Sequence, residues 1–444
     1  MKKTILFVLI FVCGLVLFLS SGCGKVIDSS NNILEPNQLI ISPSKSELLV
    51  GETQQYTLSP TLDAQSISWE VVGAIGEIDA KGLFVATKEG QGEIVANYNG
   101  ASVRISIKVT RIDVSTELNE AKSDIENGDI DGAYDNYNKA LSKDPTNTEA
   151  NFGAAMLDVL QVAIDSNTRN IAASKFNVTL PTNFNTLFKH TATTKTASIL
   201  SLSSFAQATT TPAIMPSEVQ EYIKKTLLPA LDKALNRLAI VEANPDFKFV
   251  VTRKMSKREK DYEVDLGEVY SLDATVCLIK AMLCHVSAYN WDYFTDHPLN
   301  EPNFATLKSD GSANMEAARQ AYDRMTIKWI AGINYIDAET DDQSDDIIPK
   351  FNDPALKNNC LKYLGLVKNS LENGATNIEI KPGANAIVDL KTFFSSPISD
   401  LKKFITANGI YSNNFPPDYD FTLNGLFPGF KTYDNWASFC ASIK

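Results

Sequence analysis

Three hydrophobic patterns follow one another along the chain. From Ile5 to Leu19 apolar residues run without a charge, after Lys2 and Lys3 and before the small residues Ser20, Ser21 and Gly22. That is the layout of a secretory signal, and the run is shorter than the roughly 20 residues a helix needs to span a bilayer. Between Leu39 and Thr110 the period is two, clearest where Val103, Ile105, Ile107 and Val109 alternate with Arg104, Ser106 and Lys108. Such alternation predicts short strands with one buried and one wet face. Near Ile112 the period lengthens to about 3.6, the signature of helices.

Several helices can be placed. Ser217 to Ala243 carries Val219, Ile223, Leu227, Leu231, Leu235 and Leu238 on one face, and Pro229 predicts a kink. Leu266 to Tyr289 is apolar nearly all round, interrupted mainly by Asp273 and Lys280, which predicts a central buried helix. Ala313 to Ile336 follows, then Pro354 to Glu372, opened by Asp353 and closed by Gly374. FKFVV at 247–251 reads as one strand of a small hairpin. The polar stretch 24–37 reads as a tether, and the Ser/Thr-rich stretch at 190–213 as a loop.

Motifs sharpen this outline. The small-residue box ending in Cys23 resembles a bacterial lipoprotein signal, with Ser20 where that family usually has Leu. The resemblance implies diacylglycerol on Cys23 and a lipid bilayer as partner, and Gly24 in place of Asp implies the outer membrane in a two-membrane host. The segments LLVGETQQYTL (48–58), ISWEV (67–71), GEIDAKGLFVA (76–86) and GEIVANY (92–98) together resemble a group 2 bacterial immunoglobulin-like domain. That implies a small sandwich with Trp69 in its core and a turn at Gly82. NGDIDGAYDNYNKALSKDPTNTEA, 127–150, resembles a tetratricopeptide repeat: Gly128 at the turn, small Ala133 and Ala140 where helices meet, Tyr137 between them and Pro145 at the end. Ala121 fits the pattern and Glu117 departs from it. Repeats of this kind need about three units to bury their faces, so the helices beyond must complete the stack.

The expected organisation is therefore multidomain. It comprises a signal peptide at 1–22, a tether at 23–37, an all-β immunoglobulin-like sandwich at 38–110, a TPR-like repeat at 115–163 and a mainly α region at 164–444.

Composition narrows the partners. The formal charge is -12, and loss of Lys2 and Lys3 with the signal takes it to -14. Nucleic acid, which is held by Lys and Arg on phosphates, is not an expected partner. Cys277 and Cys284 lie seven apart, about 10 Å along a helix, too far to pair with each other. They read as buried free thiols, while a bridge between Cys360 and Cys440 stays open.

Candidate chemistry is sparse. Asp265 and Glu268 in VDLGEV have the residue types of a glycosidase carboxylate pair but also the spacing of a helix-capping box. The histidines, His190, His285 and His297, show no zinc-ligand spacing, and neither GxSxG nor a phosphate-cradling GxxxxGK[ST] occurs. DAETDDQSDD gathers Asp337, Glu339, Asp341, Asp342, Asp345 and Asp346, oxygen donors suited to calcium, yet it lacks the Gly and closing Glu of an EF-hand and otherwise reads as a solvated acidic loop. Trp291, Tyr293 and Phe294, and Tyr433, Trp436 and Phe439, are either sugar-stacking platforms or core anchors at helical spacing.

The expectation is a non-enzymatic, cofactor-free, surface-anchored binding or scaffold protein. Its helical region would recognise an envelope protein or an extended ligand, with the β-module as spacer. The alternative is glycan capture in the manner of SusD-like outer-membrane lipoproteins, and an enzyme is the third reading.

Overall fold

The computed structural model describes residues 39–59, 67–164, 168–169, 215–295, 297–341, 344–381, 383–404, 415 and 419–443. Cys23, the tether, His190, the 190–213 stretch and Asp342 lie outside them. The chain divides between Ile112 and Asp113 into two compact units: a β-rich N-terminal region and a mostly helical domain of packed helix pairs.

Among the described residues the first unit has nine short strands: β1 Ile40–Ser42, β2 Glu47–Leu49, β3 Thr53–Gln55, β4 Thr57–Ser59, β5 Ile67–Val72, β6 Gly76–Ile78, β7 Leu83–Ala86, β8 Gly90–Tyr98 and β9 Ala101–Thr110. One sheet runs β2-β9-β8-β5, a second β3-β7-β6, and β1 pairs with β4. All neighbours are antiparallel except β2 and β9. The alternation in β9 orients Val103, Ile105, Ile107 and Val109 inward, where Ile107 and Val109 join Leu48, Tyr56, Ile75, Phe84 and Ile94 in one core that both sheets share. Each such side chain, fully buried, contributes about 1.5–3 kcal/mol, and this core stabilises a segment that contains no cysteine. Trp69 packs against the core half-buried.

Gly82 is needed where it stands. Its φ is +83°, and an added Cβ would lie 2.5 Å from the Tyr56 carbonyl oxygen and 3.0 Å from the Trp69 ring. Asp79 closes this turn by accepting from the N–H groups of Lys81 and Leu83 at 2.8 and 2.9 Å.

The second unit opens with α1 Ser115–Asn127, α2 Ile130–Lys143 and α3 Thr148–Ile164. Gly128, φ +81°, ends α1 in a left-handed cap, and Asp129 caps α2 by accepting from the Gly132 N–H at 3.0 Å. Ala121, Ala133 and Ala140 are fully buried between these helices. The Tyr137 ring lies against Gly153 of α3, so closely that a Cβ there would come within 2.2 Å of the ring. Glu117, the residue that departs from the repeat pattern, pairs with Lys143 at 2.5 Å.

The remaining elements are α4 Pro216–Tyr222, α5 Leu228–Glu242, β10 Phe249–Val251, α6 Arg253–Ser256, β11 Tyr262–Val264, α7 Leu266–Ser287, α8 Gly311–Ala338, α9 Pro354–Asn373, β12 Thr376–Lys381, β13 Ala384–Val388, α10 Leu390–Ser395 and α11 Tyr433–Ile443. Packing follows chain order: α1 on α2, α2 on α3, α3 on α5, α5 on α7, α7 on α8 and α8 on α9. FKFVV supplies β10, paired antiparallel with β11.

Two expectations need adjustment. The break around Pro229 is a π-helical turn over Ile223–Leu227, where the Leu228 N–H bonds to the Ile223 carbonyl. Proline has no N–H and crowds the preceding turn, and widening that turn is one way a helix accommodates it. The central helix α7 is long and apolar enough to cross a membrane by length and composition, but here it packs against α5 and α8 and is not enclosed all round. Ile279 and Val286 remain 40% and 47% exposed.

Charges are buried in this unit. Asp273 on α7, with no exposure, takes Nε of Arg324 at 3.0 Å and Nη2 at 2.5 Å, and Arg324 also donates to the Leu235 carbonyl at 3.1 Å. Asp158 on α3 meets Arg237 at 2.8 Å, Lys233 at 3.3 Å and the Tyr134 hydroxyl at 2.5 Å. All four cysteines among the described residues are free, Cys277 and Cys284 buried, Cys360 and Cys440 partly exposed. The Cys360–Cys440 bridge is therefore not formed.

Candidate functional site

The two acidic groups that stand apart in the sequence meet in the fold. Asp265 and Glu268 form the capping box of α7: the Gly267 N–H donates to Asp265 at 2.7 Å and the Asp265 N–H to Glu268 at 3.3 Å. The acidic segment after α8 then passes over this helix start. Glu263 and Asp346 form a parallel β-bridge, the Glu263 N–H donates to the Asp345 carbonyl at 3.0 Å, and the Ile348 N–H donates to Glu268 at 3.0 Å.

Burial, reinforced by the charge of Asp265, pushes the Glu268 carboxyl up to about 7 against the pull of the two N–H donors. Burial and the facing carboxylates of Asp265, Asp341, Asp345 and Glu263 also raise Asp346. The Tyr335 hydroxyl is pushed up to about 12 by burial and by Asp265 and Glu339.

Lysines balance the segment. Lys248 pairs with Asp341 at 3.2 Å and with Glu263, Lys357 pairs with Asp337 at 2.7 Å, Lys260 donates to the Ser344 carbonyl and Lys350 to the Glu339 carbonyl. Among the described residues, no group of three or more His, Cys, Asp or Glu is placed to hold a metal ion. Asp265 and Glu268, 5% and 9% exposed, are turned inward onto backbone donors. As arranged, this cluster caps a helix and fastens a loop.

The aromatic candidates separate. Trp291 and Tyr293 lie in a loop, not at helical spacing on a helix, and they anchor packing. The Trp291 indole donates to the Val286 carbonyl at 2.8 Å, and both rings pack edge-on to Phe304. Phe294 is 68% exposed. Tyr433, Trp436 and Phe439 lie on α11, and here the fold builds something larger. Trp436 joins Phe404, Phe415, Tyr419, Phe421 and Leu423 around a cavity of about 150 Å³. Tyr433 packs behind Phe415 and Phe421 at 5.7 and 6.0 Å, and Phe439 packs against Phe430 at 4.9 Å.

Asp420 organises the wall of this cavity. It accepts from the N–H groups of Thr422 and Asn424 at 2.9 and 2.8 Å and from the Thr422 hydroxyl at 2.5 Å. Leu423 and Asn424 are held at φ +48° and +57°. The sequence reading singled out Trp436 and missed the other five residues. The density of aromatics in FPPDYDF, 415–421, was the available signal.

His285 is half-buried against Phe393 and Phe394, and burial lowers its basicity. His297 is exposed. No protein-family model matches the chain, and no curated protein matches it.

Proposed function

We propose that the protein is a lipid-anchored binding or scaffold protein of the cell envelope. Its helical unit recognises another envelope protein or an extended ligand, and an immunoglobulin-like module serves as spacer. The observation that carries this reading is the ordered succession of packed helices from α1 to α9, whose first pair resembles a tetratricopeptide repeat in sequence. Stacked helix pairs offer extended binding surfaces. The signal-like N-terminus ending in Cys23 supports the anchor, and the inward, backbone-bound carboxylates of Asp265 and Glu268 speak against a glycosidase pair.

Crosslinking in intact cells, comparing the full chain with one lacking residues 115–444, tests the binding element. Loss of the captured partners on deletion is expected, and identical partners would overturn the reading. Cys23→Ala should release the protein from membranes. An unchanged membrane fraction, with no acyl mass on the wild-type N-terminus, would remove the anchor. A second reading, glycan capture, draws support from the exposed ring of Phe294. Turnover of a sugar or peptide by the purified protein would replace both with an enzyme.

A further inference from the structure

The cavity beside α11 can be assigned a more definite occupant. We propose that it is an anchor pocket for one large apolar side chain, aromatic by preference, presented by a polypeptide partner. This rests on the binding-protein reading above and specifies how the helical unit holds its partner.

Size decides first. Pockets for small-molecule ligands run to roughly 300–1,000 Å³, and this one is about 150 Å³. An apolar cavity of about that volume is known to accept a benzene, so one Phe, Trp or Leu side chain is the matching scale. Wall chemistry decides next. Among the described residues the lining is five aromatic rings and one leucine, walls that leave the hydroxyls of an inserted sugar largely without partners, a costly state for a buried polar group. Apolar walls also hold water poorly, and rings facing a void forgo dispersion contacts that a fitted side chain restores.

The third consideration is rigidity. Leu423, a wall residue, is held at φ +48°, a conformation a bulky residue keeps only where its surroundings over-determine it. The Asp420 bonds do this locally, and the Asp389 N–H ties the same loop to the body of the unit through the Leu426 carbonyl at 2.8 Å. Phe415, Tyr419 and Phe421 brace one another at 4.7–4.9 Å. A braced, aromatic-lined pocket is the kind of place where a single side chain dominates an interface.

The test uses the full-length protein and three measurements. Saturation-transfer NMR with indole, p-cresol and methyl β-glucoside should show the two ring probes binding and the glucoside not binding. Leu423→Trp, which fills the cavity, should weaken indole at least tenfold. Phe421→Ala, which enlarges it, should shift preference toward naphthalene and guards against a filled variant that fails to fold. Selection from a random-peptide phage library should yield sequences sharing one Trp, Phe or Leu, displaced by indole and not retained by Leu423→Trp.

Absence of ring binding, ring binding indifferent to both variants, preference for the glucoside, or selected peptides without a common large apolar residue would each overturn the proposal. Its failure is distinguishable from failure of the broader reading. Ring and peptide binding can succeed while crosslinked partners prove independent of residues 115–444, and partner capture can depend on those residues while indole does not bind.

Discussion

The two units bury polar groups in opposite ways. Among the described residues, the buried polar and charged side chains from Asn136 to Thr376 belong to the helical unit, whereas the β unit buries apolar side chains and the single tyrosine Tyr56. The fully buried tyrosines show the contrast at one atom. Tyr56 in the β unit donates its hydroxyl to the Lys45 carbonyl at 3.1 Å, while the Tyr137 hydroxyl in the helical unit is buried without a partner. The β unit satisfies its backbone through ladders and turns, so its sensitive points are backbone positions. The helical unit relies on charges that must find one partner, so its sensitive points are pairs.

The largest break in this contrast is expected at Asp273→Ala. Removing one member of a buried pair leaves Arg324 uncompensated, and the helical unit should lose about 3–5 kcal/mol. Denaturant unfolding with hydrogen exchange read peptide by peptide should locate the loss there and leave residues 39–110 unchanged. Restoration by an apolar partner set, Asp273→Leu with Arg324→Met, would show that the pair supplies specificity more than net stability.

Gly82→Ala is the corresponding test in the β unit. The left-handed φ and the 2.5 Å approach to the Tyr56 carbonyl together make a loss of about 2–3 kcal/mol the expected outcome. Protection should fall around β4 and β7 while the helices keep theirs.

pH dependence should sort the units again. The folded-state pKa of Glu268, about 7, is raised above its ordinary value of 4.5. Its contribution is therefore complete below about 4.5 and lost as pH rises through about 7. The difference in unfolding free energy between wild type and Glu268→Gln should shift by about 1–2 kcal/mol across that window. The subtraction removes the opposite trend of His285, whose lowered pKa favours its neutral form in the fold. A flat difference would mean that the loop does not seal the carboxyl.

The smallest effects are opposite in sign. Tyr56→Phe should cost about 0.5–1.5 kcal/mol for its hydrogen bond, and Tyr137→Phe should stabilise by about 1 kcal/mol by removing an unpaired buried hydroxyl. Equal signs in thermal unfolding would erase the contrast between the units.

Local patterns carried most of the fold. The alternation from Val103 to Val109, the caps at Asp129, Asp265 and Asp353, the turn at Gly128 and the helical face of Leu231, Leu235 and Leu238 are all short-range. Each is set by sterics, backbone hydrogen bonding or burial within a few residues, so the one-dimensional pattern sufficed. The π-turn before Pro229 was less legible, because a proline announces a disturbance without choosing its form.

What only the tertiary structure decided is long-range. Asp273 and Arg324 are 51 residues apart, and Glu268 meets the backbone of Ile348 80 residues away. Phe404 and Trp436 come together around a cavity that no single element contains. Pairings of this kind depend on how helices register against one another, a choice made by the whole core at once. The sequence by itself determined which faces are apolar and where helices begin and stop, because those follow from nearest neighbours. It left open which charges and rings would meet, because identical local patterns permit many registers and only close packing selects one.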